Sequence, residues 1–498
     1  MIDIPDSLYA PSLYWFAYRY REGLVVATDQ PLSPTATVAN LDWVKQQYDD
    51  ILSGFGVGVN SGWQNQASTP DFDLLLNPDL EGGRQYEYFE IPEQNLEGFI
   101  YPQSLHDCYA LNLNLFCPEE LGQDEYKLAD LRKLNPQDCF KPPTVPHFGY
   151  LGQSLLLTVY LDIPKPKAIQ DLGEFAKACW QGFLGLENGK SLPRLYRFYE
   201  FLGGYLYEYG SPRDELRVNP YGHLLIWVFF DVQTSLVLKR CYWELPELLL
   251  YYHKISKSFR DSRGFYKAAD RMVTENEESL NQFNQRYLLE TQPDCLRDEE
   301  LGELKRTLKQ LLRTSLRYSQ QLRNLEYAHN TIAINHSNYL TTLEQMELLA
   351  QMPLGGFRVF GEKEAVAFQK QIHADLNYFK QGSGLLDTAI ASIRGLVEVD
   401  QAERDRRLEQ QNETLQDQIQ AVGVGIATGA IIASTSALIF QQEPMSFPWQ
   451  AYHGDRPHPF MFALLLSFVF AFVGWGFAKW LIGWGRKRRS RLKQNSKH

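Results

Sequence analysis

Apolar positions are spread unevenly along the chain, and two long uncharged runs lie near its C-terminal end. Ala421 to Phe440 carries no charged residue over about 20 positions, enough for a helix to cross a ~30 Å hydrocarbon layer. Phe460 to Ala478 is a second such run, and Lys479-Trp480 ends it. The two runs differ in character. The second is built from Phe462, Leu464, Leu465, Leu466, Phe468, Phe470, Phe472 and Trp475, a lipid-facing composition. In the first, Ala421, Gly425, Gly429, Ala433 and Ala437 recur at every fourth position, a spacing that lets helix backbones approach closely in lipid. Thr428, Ser434, Thr435 and Ser436 add hydroxyls. This contrast predicts an inner and an outer helix, with packing of the first span on the second as the simpler alternative.

Upstream, apolar residues keep a heptad frame. One set is Leu301, Leu308, Ser315, Leu322, His329, His336 and Leu343. The other is Leu304, Leu311, Tyr318, Leu325, Ile332, Tyr339 and Met346. Such 3-4 spacing over many turns predicts a coiled-coil-like helix. An earlier helix is expected from Glu244 to Leu289, with Pro246 tolerated in its first turn. Met352-Pro353-Leu354-Gly355-Gly356 predicts a break, and a further helix is expected from near Glu362, with a soft point at Gln381-Gly382-Ser383-Gly384. Leu396 to Val422 holds no proline and no internal glycine, so one helix is expected to run into the first span. At 1.5 Å per residue, Leu385 to Phe440 would be roughly 80 Å long. Its lower half is polar apart from Leu408, Leu415 and Ile419, so it needs partners.

The N-terminal half has short aromatic and β-branched runs between Pro, Gly and Asp. Strands are expected at Ser12–Tyr20, Phe72–Leu76, Glu87–Ile91, Tyr109–Phe116, Ser154–Leu161 and His223–Phe230. Helices are expected at Leu41–Leu52, Asp124–Leu134 and Ala168–Phe183. The fold class is an α/β N-terminal cytosolic domain, long antiparallel helices forming a coiled-coil stalk, and a C-terminal two-helix transmembrane hairpin. The predicted organisation is 1–235 for the α/β domain, 236–350 for the helical coiled coil and 351–420 for the stalk helix. The two transmembrane helices follow at 421–440 and 460–480, joined by an outer loop at 441–459, and a basic tail occupies 481–498.

Charge and cysteine usage add topology. The net charge is −11, yet Arg486-Lys487-Arg488-Arg489-Ser490-Arg491-Leu492-Lys493 is strongly basic. A basic cluster beside a span marks the cytoplasmic side. Gln441 to Pro459 has Arg456 as its one Lys or Arg and is expected to face outward. The mean hydropathy of −0.34 places most of the mass in water. The acidic body gives no reason to expect direct nucleic-acid binding. Cys108, Cys117, Cys139, Cys179, Cys241 and Cys295 are widely spaced with no Cys-x-x-Cys pair, which predicts reduced thiols in a cytosolic domain. Met1-Ile2-Asp3-Ile4-Pro5-Asp6 has no basic-then-apolar leader, so no cleaved signal peptide is expected. A multi-pass protein of the inner (plasma) membrane, with both termini cytoplasmic, satisfies these signals.

Catalytic motifs are weak. Gly54 to Gly62 is glycine-rich but matches neither Gly-x-Gly-x-x-Gly nor a phosphate loop, and predicts a turn. His106-Asp107-Cys108 would alternate faces on a strand and form no triad. His329 and His336, one heptad apart, predict register-setting seam residues rather than a pH sensor or metal pair. His453, Asp455 and His458 form at most a weak cation-binding group in the outer loop. Neither an enzyme nor a cofactor is expected. The pore-lining candidates are Asn412, Gln416, Gln420, Gly423, Thr428 and Ser434, with Asp417 near the entrance.

The order of parts resembles the CorA family of divalent-cation channels. The resemblance rests on the helices from Glu244 to Met346, the stalk from Leu385 into Ala421–Phe440, the span Phe460–Ala478 and the tail Arg486 to Lys493. It implies a homopentamer whose first span lines the pore and whose cytosolic domain gates it. The family's Gly-Met-Asn after the first span is absent, replaced by Phe440-Gln441-Gln442-Glu443-Pro444-Met445. The layout also resembles CorA-like membrane effectors encoded beside CRISPR systems, which implies a role in antiviral defence. The implied partners are the lipid bilayer, further copies of the chain, and a divalent cation or small nucleotide as the gating ligand. The alternative is a non-conducting, membrane-anchored coiled-coil scaffold.

Overall fold

The computed structural model describes residues 7–21, 34–58, 62–64, 71–76, 83–117, 125–142, 149–185, 194–214, 221–287, 297–439 and 459–495. They fall into two compact units, one of residues 1–281 and 312–387, the other of residues 282–311 and 388–498.

The first unit is built on a mixed sheet. Its strands are β1 (Ser7–Tyr20), β3 (Phe72–Asp73), β5 (Glu87–Ile91), β6 (Leu96–Leu105), β7 (Cys108–Phe116), β8 (Glu125–Lys127), β9 (Tyr150–Tyr160), β10 (Leu195–Phe201), β11 (Gly204–Tyr209) and β12 (His223–Phe229). The order is β10-β11-β12-β9-β1-β7-β6-β3, with β5 on β6 and β8 on β1. Among the described residues only the β9–β12 pair is parallel, so the sheet is mainly antiparallel rather than built from βαβ units. A separate pair joins β2 (Gly62–Trp63) to β4 (Leu75–Leu76).

Both faces of the central strands are buried. Leu13, Trp15 and Ala17 of β1 and Leu155, Leu157 and Val159 of β9 belong to one core, with Tyr48 of helix α1 (Pro34–Gly54) and Trp180 of α2 (Gly173–Leu184). Phe16, Tyr18, Leu156 and Leu225 belong to the other. That second core takes in Leu249 and Phe259 of α4 (Leu245–Tyr287), which follows the short α3 (Val232–Cys241), and Leu325 and Ile332 of α5 (Asp298–Ala350). It closes on Phe368 and Ile372 of α7 (Val366–Ile439). Two-sided burial calls for apolar residues on both faces of a strand, which is why alternation is weak in the sequence.

The second heptad set sits in the cores: Leu304, Leu311, Tyr318, Leu325, Ile332, Tyr339 and Met346 are all under 4% exposed. Most of the first set flanks that seam, half-buried. The Met352–Gly356 break is present. Gln351 has φ of 56°, and Glu347 accepts the Leu354 N–H at 2.8 Å and pairs with Arg358. The chain re-enters a helix at α6 (Gly355–Val359), earlier than the expected Glu362, and passes through a π-helical turn at Phe360–Ala365.

Several expectations are corrected. Asp124–Leu134 is not an α-helix: β8 is followed by a 3-10 segment, Leu128–Leu134. β6, β10 and β11 lie outside the expected strands. Pro102 demotes β6 as a strand, but it sits where its carbonyl accepts the Leu74 N–H at 3.0 Å and no N–H is needed. No soft point exists at Gln381–Gly384, where α7 runs unbroken. Gly382 instead makes room for Tyr318, whose hydroxyl would lie 2.9 Å from a Cβ there and donates to Phe379 O at 2.6 Å. The glycine-rich Gly54 segment is a turn, as expected. Val57 N–H bonds Leu52 O and Gly56 N–H bonds Ser53 O, with Gly56 at φ of 73°, closing α1 with a Schellman cap.

In the second unit, Leu301, Leu304 and Leu311 of α5 and Ala389, Ile393 and Val397 of α7 are buried. Arg404 pairs with Asp298 and, at 2.7 Å, with Asp400. Helix α8 (Pro459–Asn495) continues through the basic cluster. Two helices are long and apolar enough to cross a membrane.

Candidate functional site: the two faces of the first apolar helix segment

The apolar segment of α7 presents one face to α8. A Cβ on Gly425 would lie 2.9 Å from Ala471 O and 3.0 Å from Trp475 Cβ. One on Gly429 would lie 3.1 Å from Ser467 O. Partner numbers fall as those of α7 rise, so the helices pack antiparallel. Ala421 and Ala478 are buried on the same seam, and Thr428 lies against Gly474. Glycine and alanine are needed here because any larger side chain would displace the facing backbone.

Of the expected packing residues, Ala421, Gly425 and Gly429 take that role. Ala433 does not: it is exposed. A helix turns roughly 100° per residue, so a strict four-residue repeat drifts off a straight seam. Of Ala437, only the helical backbone is described. Thr428, one of the pore candidates, is half-buried on the α8 side. Its hydroxyl donates to Val424 O at 2.7 Å, as helical threonines do when no other acceptor is near.

The remaining pore candidates share the opposite face. Asn412, Gln416, Gln420, Gly423 and Ser434 are all exposed and recur at intervals of three, four, seven and eleven, with Ala427 and Ala430 filling the same stripe. Asp417 is half-buried off it. Beside the stripe runs an apolar row, Leu408, Leu415, Ile419, Val422 and Ile426, each 48–70% exposed. Helix α8 exposes Leu465, Phe468, Phe472, Val473 and Phe477 at 58–70%. Core helices of soluble proteins bury such residues.

The other candidates separate. His453, Asp455 and His458 lie outside the described residues, as does Cys295. The five remaining cysteines are free thiols. His336 meets Gln369 at 3.2 Å and His329 lies 6.1 Å, ring to ring, from His373, contacts between α5 and α7 that suit register-setting residues. Among the described residues no group of three or more potential ligands is placed to hold a metal ion. His106 and Asp107 are not on a strand but at the β6–β7 turn. His106 Nε2 there meets Glu247 at 3.1 Å and Tyr251 at 2.8 Å, and Asp107 pairs with Lys254. The hydrogen bond with Glu247 raises the His106 pKa against the opposing effect of burial.

A buried polar chain crosses the sheet, and no local motif announces it. Ser154 Oγ lies 2.9 Å from both His223 Nδ1 and His253 Nε2, and His223 Nε2 lies 2.8 Å from Glu208. Glu208 pairs with Arg197, whose Nη1 reaches Glu364 at 2.9 Å, and Tyr196 donates to Glu364 at 2.6 Å. Burial pushes the Glu208 carboxyl up, but the His223 hydrogen bond and the charges of His223 and Arg197 outweigh it and hold it below its usual range. Burial raises the Glu364 pKa. The connectivity is that of a Ser-His-Glu triad. Ser154, however, is fully buried beneath two imidazoles, where no substrate carbonyl can reach it. The chain instead ties four strands to α4 and to the π-helical turn that precedes α7. Its members come from widely separated positions, and only pairing of β9 with β12 and β11 assembles them.

No family model matches the chain, and no curated protein or solved structure matches it significantly.

Proposed function

We propose that the chain is a homo-oligomeric membrane pore whose two apolar helices form a transmembrane hairpin and whose sheet-rich domain gates it from the cytosol. The observation that carries this is the division of labour on α7. One small-residue face is consumed by α8, while the opposite face carries Asn412, Gln416, Gln420, Gly423 and Ser434 into the open. Asn412, Gln416 and Gln420 lie just before the apolar span, where their amides need water, and within it the Ser434 hydroxyl donates to Ala430 O at 2.8 Å and keeps its acceptor sites open. A ring of copies would turn this stripe inward to a water-filled lumen and bury the neighbouring Leu408–Leu415–Ile419 row between subunits. The CorA-like order of parts supports a pentamer in the inner membrane with both termini cytosolic, without the Gly-Met-Asn selectivity element. The gating ligand would be a divalent cation or a small nucleotide, as in an antiviral membrane effector, and would act through its differential affinity for closed and open states.

A second reading, a tethered scaffold, draws on a separate feature: α5 exposes Leu316, Ile334 and Leu348 at 63–78%. Stoichiometry and flux decide between them. Native mass analysis of the detergent-solubilised protein is expected to give a closed ring of four or more copies. Liposomes holding that ring are expected to pass ions. A monomer or dimer, or confirmed rings silent to ions with every ligand class, overturns the pore.

A further inference from the structure

We infer that the cavity between β6 and the start of α4 is a binding site for a small organic cation carrying a primary ammonium group. It has a volume of about 310 Å³, at the small end of ligand-sized cavities. Every residue of the site belongs to the first compact unit, so the site is independent of ion conduction.

Gln103 is the first reason. It is 8% exposed, lines the cavity and lies on β6 two positions after Tyr101, so the two share a face of the strand. Its backbone pairs with Ala110 of β7 and Asp73 of β3. Its side-chain amide has no hydrogen-bond partner among the described residues, and the cavity is the space it lines. Buried polar side chains are otherwise hydrogen-bonded, and the amide oxygen is a ready acceptor for a ligand N–H.

The charge of the wall is the second. Four carboxylates, of Asp71, Asp73, Glu244 and Glu247, line the cavity against one guanidinium, that of Arg84. His106 engages Asp71 at 3.4 Å and Glu247 at 3.1 Å. Asp73 accepts from the Tyr101 hydroxyl and, at 2.8 Å, from the Gln85 N–H. Glu244 has neither an ion pair nor a hydrogen bond among the described residues. Burial and the charge of Glu247 raise its pKa, and Arg84 only partly offsets them. Such a wall repels phosphates and attracts cations.

The aromatic surface is the third. Trp243 and Tyr101 meet edge to face at 5.8 Å. The Arg84 guanidinium lies over the Trp243 ring at 4.3 Å, so this surface already accepts a cation. An ammonium group satisfies Gln103 and Glu244 through its N–H donors, while the carbon body of the ligand packs on the rings. Among the described residues no three potential ligands converge on a metal position, which suits spread acceptors to an organic cation.

The test is isothermal titration calorimetry of the full-length, detergent-purified protein at pH 7.5 and constant ionic strength, read against detergent alone. 2-Phenylethylamine is expected to bind saturably at one site per chain. Its uncharged analogue 2-phenylethanol is expected to bind at least about tenfold more weakly. Magnesium and adenosine monophosphate are expected not to displace the amine. Gln103→Leu and Glu244→Gln are each expected to weaken the amine about tenfold. Absence of saturable binding by the amine overturns the site, as does wild-type affinity in a natively folded Gln103→Leu or Glu244→Gln. Should Gln103→Leu not fold, Glu244→Gln, a near-isosteric change at a half-buried position, decides the question. Equal affinity for 2-phenylethanol, or displacement by adenosine monophosphate, overturns the assigned charge. Displacement by magnesium overturns the organic class.

Discussion

His253 shows how a single buried side chain sets a pH response. Burial disfavours its charged form, so its folded-state pKa lies well below the ordinary histidine value. The unfolded chain takes up the proton first, near pH ~6.5. Stability is therefore fully present above that pH and is lost progressively as pH falls below it towards the folded pKa. The wild-type thermal midpoint is expected to drop between pH 7 and 5. In His253→Gln the drop over the same interval is expected to be smaller. An equal drop in both proteins would assign the slope to other groups. None of this is legible in the sequence, where His253 is one histidine in an apolar run. Its environment is made by Ser154 and His223, about 100 and 30 positions away in the chain.

At the scale of elements, periodicity was a reliable guide wherever one face of a helix is buried. The heptad positions from Leu304 to Met346 line the cores because a 3-4 repeat keeps one stripe turned inward. Glycine was harder to interpret. Gly382 looks like a break but serves close packing, and Gly356, at the break that is present, serves it too: a Cβ on Gly356 would fall 1.9 Å from the Tyr199 ring. Gly425 and Gly423, two residues apart, give opposite predictions for this reason. Gly425→Leu is expected to force α8 away and destabilise the helix pair by about 1–3 kcal/mol, read as a lowered thermal midpoint. A Cβ on Gly423 meets nothing within 4 Å in the single chain. Gly423→Leu is therefore expected to leave the pair intact and to disturb assembly or flux instead. Matching effects of the two substitutions on both readouts would undo the distinction between the faces.

For the whole molecule, the assembly decides which exposed surfaces remain exposed. If the stripe opposite α8 lines a lumen, Ser434→Cys is accessible to water in the conducting state. A membrane-impermeant, cationic thiol reagent is then expected to reduce flux through Ser434→Cys rings by at least about tenfold and to leave wild-type rings unaffected. Leu465→Cys on α8, which is 63% exposed and off that stripe, is expected to resist the same reagent. Block at both positions, or at neither, counts against an inner first helix.

The sequence by itself determined the two membrane-length segments, the long helices and most of the strands. These follow from local composition and repeat period, which the hydrophobic effect reads without knowledge of the partner. Tertiary structure alone decided which face of the first apolar segment meets α8. It set Thr428 beside Gly474 of α8 and Asn412, Gln416, Gln420, Gly423 and Ser434 on one exposed stripe. It also decided the strand order, and with it the meeting of Ser154, Glu208, His223 and His253. Burial and hydrogen bonding at such a place depend on residues far apart in the chain, and no local pattern encodes their distance in space.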